Sequence, residues 1–409
     1  MAGISKNNIS AIKISFALLL QIFSANTMAQ NERAQIPQVL NNSYFEVNLG
    51  FIQYPFSEIQ VEEGYTFHAV QIPHAALRLI PAGYQFNKYL SAQISYMRPV
   101  LWVHYQYKNG LDESVFTRAV WMNVAGLTIK PSLPINTRFS IYGEGGLSII
   151  TRKGFNDEDN TPVVTNANYT TTLFGGGVKY HLNKNWGLML NMVYSPENKK
   201  VKQPATSFYS AGFSYTLLPF SDEHLAEAAR NGYIHPKQTI QIGITSNVFG
   251  YGVNNFVSEG KVPIFWAGEA EVQSGFSINY QRNIFYGAKA FSLDWGASLG
   301  IWRSNVNKEK FYTLSIYPVL KWTFLHTDPV DVYFFYTVAG PAYISRTMVD
   351  EKDLGKHFTF QDNMGTGFFF GENRNFNVEI KIGHYSNGDL FPGNEGVKIP
   401  LTLNLGYSF

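Results

Sequence analysis

His384 and Ser386 stand two residues apart in the run Gly383-His384-Tyr385-Ser386-Asn387-Gly388-Asp389-Leu390-Phe391-Pro392-Gly393-Asn394-Glu395-Gly396. Side chains alternate faces along a strand, so this spacing puts both on one face. An imidazole beside a hydroxyl pairs a general base with a nucleophile, the arrangement that attacks an acyl carbonyl. The same parity runs upstream through Phe376, Val378, Ile380 and Ile382, while Asn377, Glu379 and Lys381 take the other face. His384 and Ser386 therefore end an apolar row, on the side that meets lipid if the strand crosses a membrane. By itself the spacing is common, and the aromatic girdles of membrane strands also tolerate His and Ser.

Other chemistry is hard to find. There is no Walker loop, dinucleotide fingerprint, HExxH or GxSxG elbow. Gly365 and Gly367 are followed by Gly371, which misses the dinucleotide spacing and reads as strand packing. The histidines are mostly scattered and lack ligand spacing, and there is no cysteine for a disulfide, a thiolate metal site or a thiol nucleophile. No cofactor and no metal is implied.

The elements that must position the pair are strands. Of the 409 residues, 15% are charged and 16% aromatic, whereas an ordinary soluble domain carries about 25% charge. A cytoplasmic enzyme fits this poorly, and 45% apolar residues exclude disorder. Basic and acidic residues nearly balance, 32 against 30, so no nucleic-acid partner is expected. Residues 397–409 read VKIPLTLNLGYSF, with Val397, Ile399, Leu401, Leu403, Leu405, Tyr407 and Phe409 on one face and Lys398, Pro400, Thr402, Asn404, Gly406 and Ser408 on the other. That is the period of a barrel strand between lipid and a polar interior. The parity turns Lys398 away from the Val397 face, and Pro400 marks a bulge.

The same grammar predicts strands near 44–54, 65–84, 88–107, 115–130, 137–151, 168–182, 186–195 and 206–217. It continues near 238–249, 264–282, 288–304, 310–327, 330–346, 358–371, 375–386 and 397–409. The fold class expected is all-β, an antiparallel transmembrane β-barrel. The polar segment 219–237, with Ser221 able to cap a short helix and Gly232 to stop it, separates residues 30–218 from 238–409. We favour two tandem eight-stranded barrels over one sixteen-stranded barrel. The ends GFSYTL and GYSF of the two halves form a weak internal repeat. Residues 1–29 carry Lys6 and Lys13, an apolar stretch ISFALLLQIF and Ala29 after small residues, the order of a secretory signal peptide.

The run HYSNGDLFPGNEG before the last strand resembles the signature of the lipid A 3-O-deacylase family, the acyloxyacyl-hydrolase-like outer-membrane barrels. There an H-[hydrophobic or aromatic]-S-N segment precedes a Pro/Asn/Gly turn and the final strand. The resemblance covers the second half of the chain. It implies an eight-stranded barrel that hydrolyses an ester-linked acyl chain of lipid A, with Ser386 as nucleophile and His384 as general base. Asn387 matches the Asn after the serine, and Asn394 the turn Asn, an oxyanion contributor. The chain stops on Phe409, which resembles the signal read by the barrel-assembly machinery. One position departs: the family's acidic third member falls on Lys398. Either Glu395 orients His384, with Asp389 a weaker choice, or the site is a Ser-His dyad, or it is inactive. In the first half Val193-Tyr194-Ser195-Pro196 stands where the second has His384-Tyr385-Ser386-Asn387, so the base is missing there.

These readings converge on an outer-membrane serine esterase acting on lipid A or a related membrane glycolipid. The alternative is a non-catalytic barrel, structural or for transport, with a decayed signature. A third reading is a phospholipase, since the same dyad cuts a phospholipid ester.

Overall fold

The computed structural model describes residues 33–70, 74–100, 103–109, 114–230, 232–258, 266–287 and 290–409. The expected signal peptide lies outside them. Apolar–polar alternation builds two closed antiparallel barrels, each of eight strands joined to their sequence neighbours. The first comprises β1 (Ser43–Gln53), β2 (His74–Asn87), β3 (Leu90–Pro99), β4 (Val115–Pro134), β5 (Phe139–Lys153), β6 (Ala167–His181), β7 (Trp186–Ser195) and β8 (Thr206–Thr216). The second comprises β9 (Gln238–Ser246), β10 (Ala270–Tyr286), β11 (Phe291–Ser304), β12 (Lys310–His326), β13 (Val330–Thr337, resuming as Gly340–Ile344), β14 (Phe358–Phe370), β15 (Phe376–Ser386) and β16 (Val397–Ser408). β8 pairs with β1, and β16 with β9, so each ring closes on its own hydrogen bonds and a single sixteen-stranded barrel is excluded.

The walls follow the sequence parity. Along β9, Ile240, Ile242 and Ile244 are exposed outward, whereas Thr239, Gln241 and Thr245 are buried inside. Both interiors are filled by side chains, as expected for eight strands, with polar networks beside apolar clusters such as Trp302, Phe311, Val397 and Ile399. Arg78 pairs with Glu144 at 2.5 Å and Lys130 with Glu46 at 2.7 Å in the first barrel; Lys321 pairs with Asp294 at 2.6 Å in the second. The Glu379 carboxylate, fully buried, accepts from the Tyr333 hydroxyl at 2.7 Å and from Asn404 at 3.2 Å. Charges held in a dry interior need such partners.

Two expected strands are broken. Segment 65–84 divides into Tyr65–Val70 and β2, and 88–107 into β3 and Val103–Asn109. The two short strands pair with each other, and Val103–Asn109 pairs with the start of β4, extending the wall beyond the ring. Between the barrels, α1 (Asp222–Arg230) begins where the His224 N–H donates to Ser221 Oγ at 3.4 Å. Arg33 ties this linker to the second barrel, donating to the His235 carbonyl and to Asn283 Oδ1.

The second barrel departs from regular closure near its candidate site. β9 stops at Ser246, and beyond it β10 meets β16 directly, Ala270 against Val397 and Glu271 against Lys398. The expected strand 264–282 therefore starts only at Ala270. Residues 247–258, including α2 (Gly252–Phe256), lie against the outer wall on β15 and β16. β16 carries one extra residue at Pro400–Leu401, because Lys381 faces Thr402 while Gly383 faces Ile399. The bulge expected at Pro400 is there.

Candidate active site

His384 and Ser386 lie at the end of β15, after the regular pairing of β15 with β14 has set their direction. Asp362 faces His384 and Phe360 faces Ser386 in that ladder, with no slip. Residues directly opposite in an antiparallel pair share a face. Val378 and Ile380 on the same parity are partly or fully exposed, and Asn377, Glu379 and Lys381 are buried inside. His384 and Ser386 thus belong to the outward set, as parity predicts.

His384 is nonetheless only 1% exposed. Trp266 covers it, the ring centroids 4.5 Å apart. Trp266 is held by its indole N–H on Asn254 Oδ1 at 2.8 Å, and Asn254 Nδ2 donates to the carbonyls of Gly383 and Ile399. Those carbonyls lie beside the Pro400 bulge, which spoils ladder pairing and leaves them to a side chain. Val257, Trp266, Ile382, Tyr336, Met364 and Leu401 form one apolar cluster around this point. The expectation that His384 faces lipid is corrected: its direction is outward, and chain from the β9–β10 connection covers it.

The carboxylate facing His384 is Asp362, its Oδ2 3.9 Å from Nδ1. That is within ion-pair reach and longer than a hydrogen bond. The Asp362 Oδ1 accepts the Ala339 N–H at 2.6 Å, which fixes the carboxyl group. Glu395 stands elsewhere: its carboxylate accepts the Asp353 N–H at 2.5 Å, and its own N–H donates to the Asp353 carbonyl. It staples the turn to the 352–353 arm and does not orient His384. Asp389 is engaged by Asn394 Nδ2 at 2.9 Å and does not reach the imidazole either. Sequence reading missed Asp362. Its signal was available, an acid on the outward parity of Phe358, Phe360 and Met364.

Lys398 also differs from expectation. The Pro400 bulge reverses parity, so Val397 and Ile399 point into the barrel core and Lys398 faces outward opposite His384. Its ammonium turns aside to Glu271 at 3.2 Å and Asn255 Oδ1 at 3.0 Å.

The turn after Ser386 is tightly bonded. The Asn387 N–H donates to Asn394 Oδ1 at 2.6 Å, and Asn387 Nδ2 donates to the Gly393 carbonyl at 2.6 Å. Both donors expected to serve an oxyanion, the Asn387 amide and the Asn394 side chain, are thereby occupied within the turn. The N–H groups of Gly388 and Asp389 have no backbone partner in a turn or loop among the described residues, and both residues are left-handed, φ 63° and 57°. Ser386 is half-buried and makes no side-chain hydrogen bond, to His384 or to any other described residue. Apo enzymes often show such loose pairs. The arrangement supplies a hydroxyl, a base and an acid on an outer wall. A cavity of about 590 Å³ lies instead in the first barrel beside Lys130, Arg138, Lys179 and His181, and none of the three residues lines it. In the first half, Val193 and Ser195 point inward and Tyr194 outward, so the echo of the signature is on the wrong face.

Residues 270–408 match the family model Lipid A 3-O-deacylase (PagL), and residues 58–218 match the OmpA-like transmembrane domain. A curated relative, lipid A deacylase PagL of Pseudomonas aeruginosa, is 29% identical over 104 residues, 25% of this chain. The chain spans 58% of that relative's length. Among solved structures, the outer membrane enzyme PagL aligns with TM-score 0.30 and 18% identity, over 42% of this chain and 99% of that one. Neisserial surface protein A aligns with TM-score 0.29 and 14% identity, over 43% and 97%.

Proposed function

We propose that this chain, whose residues 270–408 match the lipid A 3-O-deacylase family model, is an outer-membrane serine esterase that removes an ester-linked acyl chain from lipid A. We take residues 238–409 as the catalytic barrel, 30–218 as a second barrel and 219–237 as the linker. The observation that carries the reading is Ser386, His384 and Asp362 together on the outward wall. A substrate held in the bilayer reaches that wall, whereas no cavity is needed.

In this mechanism Ser386 Oγ attacks the acyl carbonyl while His384 takes its proton. His384 then returns the proton to the departing sugar hydroxyl, and water completes the cycle through the acyl-enzyme. Asp362, whose carboxylate faces Nδ1 at 3.9 Å, stabilises the imidazolium as it forms. The Gly388 and Asp389 N–H groups, two and three residues after Ser386 in the turn, receive the oxyanion. The test is the lipid A mass spectrum of an outer-membrane host expressing the chain. One acyl mass is lost with the intact chain and retained with Ser386→Ala; identical spectra from the two inserted barrels reject the reading.

The burial of His384 beneath Trp266 and its lack of a hydrogen bond to Ser386 favour a second reading, a barrel without catalysis. An alkyl fluorophosphonate separates the two, since it labels an activated Ser386 and leaves an idle one unmodified.

A further inference from the structure

The first barrel has an outer wall that is out of keeping with lipid at one rim. Asn123 on β4 faces Thr151 on β5, and Thr151 faces Asn168 on β6, a polar row across three adjacent strands. All three share the outward parity. Tyr96 on β3 joins them, its hydroxyl accepting from Asn123 Nδ2, and Arg98 follows on the same face. Lower on the same wall the outward residues are Ile94, Leu127, Leu147 and Phe174, each strongly exposed as a lipid-facing surface requires.

The occupant of the polar row is the turn of the second barrel. Thr151 Oγ1 donates to the Asp389 carbonyl at 2.5 Å, and Asn168 Nδ2 reaches both Thr151 Oγ1 at 2.8 Å and the Leu390 carbonyl at 3.3 Å. The charges of Arg98 and Lys153 act on the Asp389 carboxylate. Asp389 is left-handed without being glycine, a conformation that persists only where its surroundings over-determine it. From Asp389 the bonding runs inward: its Oδ1 accepts from Asn394, and Asn394 Oδ1 accepts the N–H of Asn387, the residue after Ser386.

We propose that the first barrel is the brace of the catalytic turn: Thr151 and Asn168 are positioning residues that hold residues 387–394 in the shape that presents the Gly388 and Asp389 N–H groups. This rests on the reading of Ser386 as nucleophile. It assigns the first barrel a role in the reaction although it carries no base of its own.

The test uses the full chain. Thr151→Val with Asn168→Ala removes both donors, and Thr170→Val, exposed on the same face of β6, is the control. Deuterium uptake by residues 387–394 should rise several-fold in the double variant and stay at the parent rate in the control. The kcat on lipid A should fall about tenfold with KM unchanged, the signature of lost positioning, while the folded barrels keep their electrophoretic shift. Because the chain lacks cysteine, Asn168→Cys with Leu390→Cys should be joined by a short bifunctional thiol reagent in intact membranes. Absence of the cross-link overturns the docking. A cross-link with unchanged uptake and kcat in the double variant overturns the bracing. If the parent releases no acyl chain, the esterase reading fails by itself, and uptake and cross-linking still decide whether the brace exists.

Discussion

Asp362 faces His384 from the neighbouring strand, so the proposed acid is separated from the proposed base by a turn and a whole ladder rather than by the Pro/Asn/Gly turn that follows Ser386. Asp362→Asn should lower kcat about 10²- to 10⁴-fold, the range over which triad acids act through the imidazole. Glu395→Gln should cost far less, and steady-state release of fatty acid from lipid A compares the two. The reverse order would return Glu395 to the site. Asp389 carries a pH dependence. Burial pushes its carboxyl from 3.8 up to about 6, against the pull of Asn394, Arg98 and Lys153. A raised carboxyl stabilises the fold fully below the unfolded value and loses that contribution as pH rises through about 6. Protection of residues 387–394 against deuterium exchange, corrected for intrinsic rate, should therefore fall between about pH 4 and about pH 6.5 and be level above that. Asp389→Asn, which keeps the acceptor for Asn394, should flatten that dependence.

At the scale of elements, two irregularities build the surroundings of the pair. β9 ends early, which frees the chain after Ser246 to fold over β15 and β16. The Pro400 bulge opens the ladder there, and Asn254 fills the gap with two donations. Asn254→Ala leaves two buried carbonyls without donors, at a cost of about 1–3 kcal/mol each. The urea midpoint of the second barrel should fall accordingly, and an unchanged midpoint would mean that water replaces Asn254. The turn shows a smaller irregularity of the same kind. Gly393 is left-handed and stands against the Asp353 carboxylate, where a Cβ would meet it at 2.3 Å, so any other residue strains the backbone and displaces Asp353.

At the scale of the whole molecule, each barrel closes on its own strands and fills its own interior, so their stabilities are separable. Arg78→Met leaves Glu144 buried without its ion-pair partner, with only Thr128 and the nearby Lys130 charge to offset it, a cost of up to about 3–5 kcal/mol. The unfolding transition of the first barrel should shift to lower urea while that of the second stays in place, as tryptophan fluorescence of the second barrel can follow. A concerted shift would show that the rim contacts between Thr151, Asn168 and the 389–390 turn couple the two rings more strongly than those contacts suggest.

The amino-acid sequence alone determined the class of fold, because a period of two sustained over sixteen segments leaves one solution in a membrane, a closed barrel with apolar residues outside. It also determined the outward direction of His384 and Ser386, since β15 runs without a slip and parity is local. Tertiary structure decided what parity cannot carry. Which acid faces His384 depends on the register between β14 and β15, two strands joined by a turn whose length the alternation does not specify. The face of Lys398 depends on one extra residue at Pro400, and a shift of one residue reverses a strand. The cover over His384 depends on β9 being short, and the bracing of the turn depends on a second barrel folded more than two hundred residues upstream. Contacts between distant segments are set by how closed rings pack, and no local pattern of residues encodes that.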